Sequence, residues 1–179
     1  MIQEEFKFYK PCKFLQPYVR YYWVFSSNQM LKTYTFPIGC SQIIFHKRTP
    51  LYVPELDTTQ HRLTISGQVN FSSHLQADDD IEMIVVVFYP HTINLFLDTP
   101  ASSFYNKEVS GYDIEDKHLA ELAKQVFECE DNNHCVNLIE RWLLSRLSIR
   151  PYETTYRVRR MLAAIEQLCA APQTLITDL

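Results

Sequence analysis

From Tyr18 to Phe88 the chain alternates short apolar runs with polar breaks. YVRYYWVF, SQIIFHK, RLTISGQV and IEMIVVVFY are separated by clusters of Asn, Pro, Ser, Thr and Asp. Runs this short, rich in β-branched and aromatic residues, predict strands, and several at this density predict a barrel or sandwich. Met83 to Phe88 is apolar at every position. Such a strand is expected to be covered on both faces, one by the barrel interior and one by helices or a second sheet.

After Pro90 the period changes. HTINLFLD predicts a short helix ended by Pro100, followed by a polar connection. Asp113 is the expected N-cap of a longer helix, with Asp116 three residues on and Leu119, Leu122 and Val126 along one face. A second helix is expected from Asn132 or Asn133, carrying Cys135, Leu138, Ile139, Trp142, Leu143, Arg146 and Leu147. Joined by ECEDNN, the two would pack as an antiparallel pair, closed by Pro151. A third helix carries Val158, Met161, Leu162, Ile165, Leu168 and Cys169 and stops at Pro172. Thr174 or Thr177 can cap a further helix with Leu175, Ile176 and Leu179 as its apolar positions, so the sequence ends as a new helix opens. The predicted fold is α+β, with a cupin-like β-barrel or sandwich over 1–110, a helical pair over 111–149 and a C-terminal helix within 150–179.

Composition narrows the chemistry. At 179 residues the chain suffices for one full domain and a fragment of another. Three glycines against 11 Tyr and 11 Phe exclude a phosphate-cradling glycine-rich loop. A net charge of −4 argues against most of the chain being a nucleic-acid surface. The local exception is Arg146, Arg150, Arg157, Arg159 and Arg160 against the single acid Glu153, a run expected to be a solvated helix face. The N-terminus MIQEEFKFYK is no signal peptide, no run is long enough to span a membrane, and the chain is expected to be cytoplasmic. Five scattered cysteines fit reduced thiols rather than a disulfide framework.

No catalytic constellation is legible, and the chain is not expected to be an enzyme or to carry a cofactor. The six histidines never pair at metal-binding spacing, and Cys129, His134 and Cys135 match no zinc signature. Asp78, Asp79 and Asp80 are adjacent, so they cannot face one site and read as a solvated loop. Cys40, Gln42, Ile44 and His46 share one parity of a strand. Facing a barrel interior, they would set polar groups among aromatics, as small-molecule pockets require. Trp23, Cys40, Gln42 and His46 are therefore the candidate ligand-binding residues, against the reading that Cys40 and Ile44 are plain core.

The order FLQPYVRYYWVF, FPIGCSQIIFHK, ISGQV, VVVFYPHTINLFL and NLIERWLLSRLS resembles the sensor half of AraC/XylS-type transcriptional regulators over most of residues 11–149. The resemblance implies a β-barrel sensor for a small-molecule effector and a helical pair that forms a homodimer. It also implies a helix-turn-helix DNA-binding domain whose first helix would be Thr155 to Cys169. In that plan Thr174 to Leu179 would open the first helix-turn-helix and both recognition helices would lie beyond Leu179, so DNA would be bound only by the intact protein. Leu138, Ile139, Trp142, Leu143 and Leu147 are the candidate dimerisation residues; the other reading makes them intramolecular core. The alternative function is a small cupin-like enzyme or ligand carrier.

Overall fold

The computed structural model describes residues 4–90, 92–150 and 152–170, without side-chain placement for Glu153 and residues 168–170. The proposed caps Thr174 and Thr177, with Leu175, Ile176, Leu179 and the breaker Pro172, lie outside the described residues, as do the side chains of Leu168 and Cys169.

Among the described residues ten strands form two antiparallel sheets. They are β1 (Glu4–Tyr9), β2 (Val19–Ser27), β3 (Leu31–Thr35), β4 (Gln42–His46), β5 (Tyr52–Val53), β6 (Thr58–Thr59), β7 (Leu63–Ser66), β8 (Ser73–Ala77), β9 (Ile81–Phe88) and β10 (Glu108–Ser110). The larger sheet runs β1-β2-β9-β4-β7-β10 and the smaller β3-β8-β5-β6. No described strand pairs across the two, so of the barrel or sandwich expected from the sequence the closed barrel does not form and the layers stand as two sheets. The N-terminal stretch is an edge strand, with Phe8 opposite Trp23.

The all-apolar run Met83–Phe88 lies in β9, central in the large sheet. Ile84, Val86 and Phe88 enter one core with Val24, Ile43, Phe45 and Ile65 under the helices, while Met83, Val85 and Val87 enter a second with Ile44, Cys40 and Leu51 between the sheets. A strand divided between two cores can spare no polar position, which is why alternation vanishes from its sequence. Each of these side chains contributes roughly 1.5–3 kcal/mol before conformational entropy is set against it.

Among the described residues three α-helices follow: α1 (Lys117–Glu128), α2 (Asn132–Ser148) and α3 (Tyr152–Ala170). The expected helix after Pro90 shrinks to a single 3-10 turn, Ile93–Leu95. The cap of α1 is Asp116, not Asp113: its carboxylate accepts from the His118 and Leu119 amides at 2.9 and 3.1 Å, while Asp113 sits in the preceding 3-10 turn, Gly111–Ile114. Asp131 caps α2 in the same way. Leu119, Leu122, Ala123 and Val126 of α1 pack with Cys135, Val136, Ile139 and Leu143 of α2 against the large sheet. Val158 and Leu162 bring α3 onto the same core, and Arg159 Nε donates to the Tyr18 hydroxyl at 2.8 Å.

The basic run is not a solvated face throughout. Arg146 donates to the Phe96 carbonyl at 3.0 Å and pairs with Asp98 at 2.9 Å and Asp116 at 3.2 Å. Arg150 donates to the Leu95 carbonyl at 2.7 Å and reaches Asp98 at 2.7 Å. The free carbonyls of the turn after Pro90 draw these guanidinium groups inward, tying α2 to the sheet layer and to the cap of α1.

Candidate functional site: a cavity between the sheets

Strand register builds the cavity wall row by row. Tyr21 of β2 lies opposite Val87, Val87 opposite Gln42, Gln42 opposite Ser66, and Ser66 opposite Glu108. The next row on the same face is Phe8, Trp23, Val85 and Ile44. Directly opposed residues share a face, so one wall carries an aromatic end at β1–β2 and a polar end at β7–β10. The small sheet supplies Thr33, Tyr34, Thr35, Ser73 and Leu75, and Phe36 and Ile38 continue its rim. Between the layers lies a cavity of about 380 Å³, within the size of small-molecule sites.

The aromatic side is partly open to solvent, with Phe6, Phe8, Tyr34 and Phe36 all exposed. Their rings contact one another: Phe6 stacks on Trp23 at 4.9 Å between centroids, Phe8 meets Tyr21 edge-on at 5.5 Å, and Tyr34 meets Phe36 at 5.2 Å. A cluster of exposed aromatics around a concavity marks a surface built for contact.

The polar side is a chain of hydrogen bonds. Ser66 Oγ donates to Glu108 Oε1 at 2.9 Å and Gln60 Nε2 to Glu108 Oε2 at 3.2 Å. Gln60 Oε1 then lies 2.8 Å from His46 Nε2. Because the Gln60 amide donates to Glu108, its oxygen faces the imidazole, so His46 carries its proton on Nε2 and Nδ1 is a buried acceptor without a partner among the described residues. Burial pushes the Glu108 carboxyl up to about 7, with the Ser66 and Gln60 hydrogen bonds opposing. Burial also pushes His46 down to about 4 and keeps it neutral, against the Gln60 hydrogen bond.

Of the candidate ligand residues, Trp23, Cys40 and Gln42 line the cavity. His46 shares their face but is fully buried behind Gln60, and does not line it. Glu108 and Gln60 went unread in the sequence: one lies in a three-residue strand, the other in a loop, and neither offers a period to read.

The candidate dimerisation stripe divides. Ile139, Trp142 and Leu143 are buried in the chain's own core, and Leu138 and Leu147 are partly buried against it. An outward groove between α1 and α2 runs past Leu138 and the exposed Ile149, with the buried Leu122 and Trp142 at its floor. Cys129, His134 and Cys135 do not converge: His134 is exposed, and the Cys135 thiol points to the Val126 and Cys129 carbonyls. Among the described residues no group of three His, Cys, Asp or Glu side chains could hold a metal, and no helix is long and apolar enough to cross a membrane.

An α+β sandwich with a wall-anchored cavity and a docked helical pair is the class that this architecture defines. Residues 7–110 match the family described as a domain of unknown function (DUF6597). That is more than half of the chain, so the protein belongs to this family. No curated protein and no solved structure matches the chain.

Proposed function

We propose that the chain is the effector-sensing and dimerising portion of a regulator of the AraC/XylS type, its cupin-like sandwich holding a small molecule and its helical pair passing on the occupancy. The observation that carries the sensing part is continuity. Glu108, on the cavity wall, is two residues from Ser110, whose hydroxyl accepts from the Tyr112 amide in the turn that leads to α1. The regulator part rests on the order of sequence landmarks over residues 11–149. A second copy would meet the outward groove of α1–α2 through Leu138 and Ile149 rather than through Ile139, Trp142 and Leu143, which are buried. DNA recognition would belong to the helix-turn-helix domain of the intact regulator. A coupling of about 1–3 kcal/mol between cavity and helices is enough for such a switch.

The cavity alone would also serve a carrier, and amide hydrogen exchange separates the two. Protein purified with any copurifying small molecule is compared with the same protein stripped of it, the molecule itself being read by mass spectrometry. The sensor requires altered exchange in residues 117–128 and 132–148 as well as at the cavity. A change confined to the cavity strands leaves a carrier and ends the regulator reading.

A further inference from the structure

The cavity is asymmetric in charge. Among its described lining residues Glu108 is the one charged side chain, and it points in from the polar end opposite an array of aromatic faces. Its two oxygens are met by neutral donors, Ser66 and Gln60, and no Lys, Arg or His among the described residues forms an ion pair with it. A carboxylate so deeply placed is costly to ionise without a counter-charge. Aromatic faces, for their part, give a ligand's apolar body broad flat surface to pack on. The two features sit on opposite ends of one cavity and ask for the two ends of one ligand.

We propose that the cavity takes an organic cation, an amine or quaternary ammonium, with its charge set toward Glu108 and its apolar body against the rings of Trp23, Tyr21 and Phe6. This rests on reading the cavity as an effector site, and names the class of effector. Gln60 and Ser66 hold the carboxylate in place, and His46 behind Gln60 fixes the orientation of that amide. His46 remains uncharged, so it does not repel the cation.

Isothermal titration of the full chain at mildly alkaline pH with two probes of nearly equal shape tests this. One is 3-(hydroxymethyl)phenyltrimethylammonium; the other is 3-tert-butylbenzyl alcohol, which replaces the charged nitrogen by carbon. The cation is expected to bind at least about tenfold more tightly than the neutral alcohol, one counter-charge being worth that much in a partly dry site. In Glu108→Gln the preference is expected to collapse toward one while the neutral alcohol's affinity holds. Equal affinities in the wild type, a preference untouched by the substitution, or no binding of either probe would overturn the assignment. The wild-type ratio requires no variant, so the test stands even if Glu108→Gln folds poorly. If the neutral alcohol binds equally well and alters exchange in α1 and α2, the sensor reading survives and only the cationic class is lost. If the cation binds through Glu108 with the helices unmoved, the class stands and the sensor reading is lost.

Discussion

Glu108 and His46 flank Gln60 and are displaced in opposite senses by the same burial, so they pull stability in opposite directions with pH. Unfolding returns Glu108 to its ordinary value. Between about 4.5 and about 7 the folded chain keeps a proton that the unfolded chain releases, and stability falls as pH rises through that window. His46 acts in reverse: between about 4 and about 6.5 the unfolded chain takes up a proton that the folded imidazole refuses, so stability rises with pH. The two slopes oppose each other where the windows overlap. Removing one exposes the other, so Glu108→Gln is expected to gain stability with rising pH across the overlap more steeply than the wild type. At mildly alkaline pH it is expected to be the more stable protein by roughly 2 kcal/mol, at about 1.4 kcal/mol per unit of displacement less the loss of a matched hydrogen-bond acceptor. Urea midpoints measured across that range check this, and parallel profiles would count against a buried ionisable Glu108. At this scale strand parity found Cys40 and Gln42 on the cavity wall. It also set His46 on their face, but could not show that Gln60 would close over it, because that contact comes from a loop.

The helices are held by a few polar ties as much as by their apolar stripes. Arg146 alone links the cap of α1, the turn after Pro90 and Asp98. Arg146→Ala would strand the half-buried Asp116 and free the Phe96 carbonyl, and the expected loss is about 2–3 kcal/mol. A loss in urea denaturation as small as that of an exposed arginine, under about 0.5 kcal/mol, would reduce the tie to a surface contact. The amphipathic periods of α1, α2 and α3 were legible because each helix buries one stripe. The small sheet was not: LKTYT and SHLQA carry too few apolar residues to show strand alternation, since β3 turns mostly to solvent. The capping aspartate was misplaced by three residues because Asp113 and Asp116 satisfy the same local rule, and only the 3-10 turn between them decides.

Across the whole molecule, the cavity and the helical layer are joined where the chain has least room. An added Cβ at Gly67 would lie 1.6 Å from the Phe104 carbonyl oxygen, and the Gly67 amide donates to the Lys107 carbonyl at 3.0 Å, one residue before Glu108. Gly67→Ala must therefore push residues 104–108 outward. The expected result is a loss of about 2 kcal/mol or more in urea unfolding and, on the proposed sensor reading, a weakened response of α1 to cavity ligands. A variant as stable as the wild type would mean that this approach is looser than its geometry. The α+β class was legible from the change of period near Pro90, and the choice between a closed barrel and two sheets was not, because local sequence carries no record of which strands stay unpaired.

The protein holds two tryptophans, and the fold assigns one to each half. Trp23 stands in the cavity wall and Trp142 in the core of the helical layer, beneath its outward groove. Each layer thus carries its own native fluorophore, and replacing the indole of Trp23 by a phenyl ring leaves an emitter that watches only the helical side, without any attached dye.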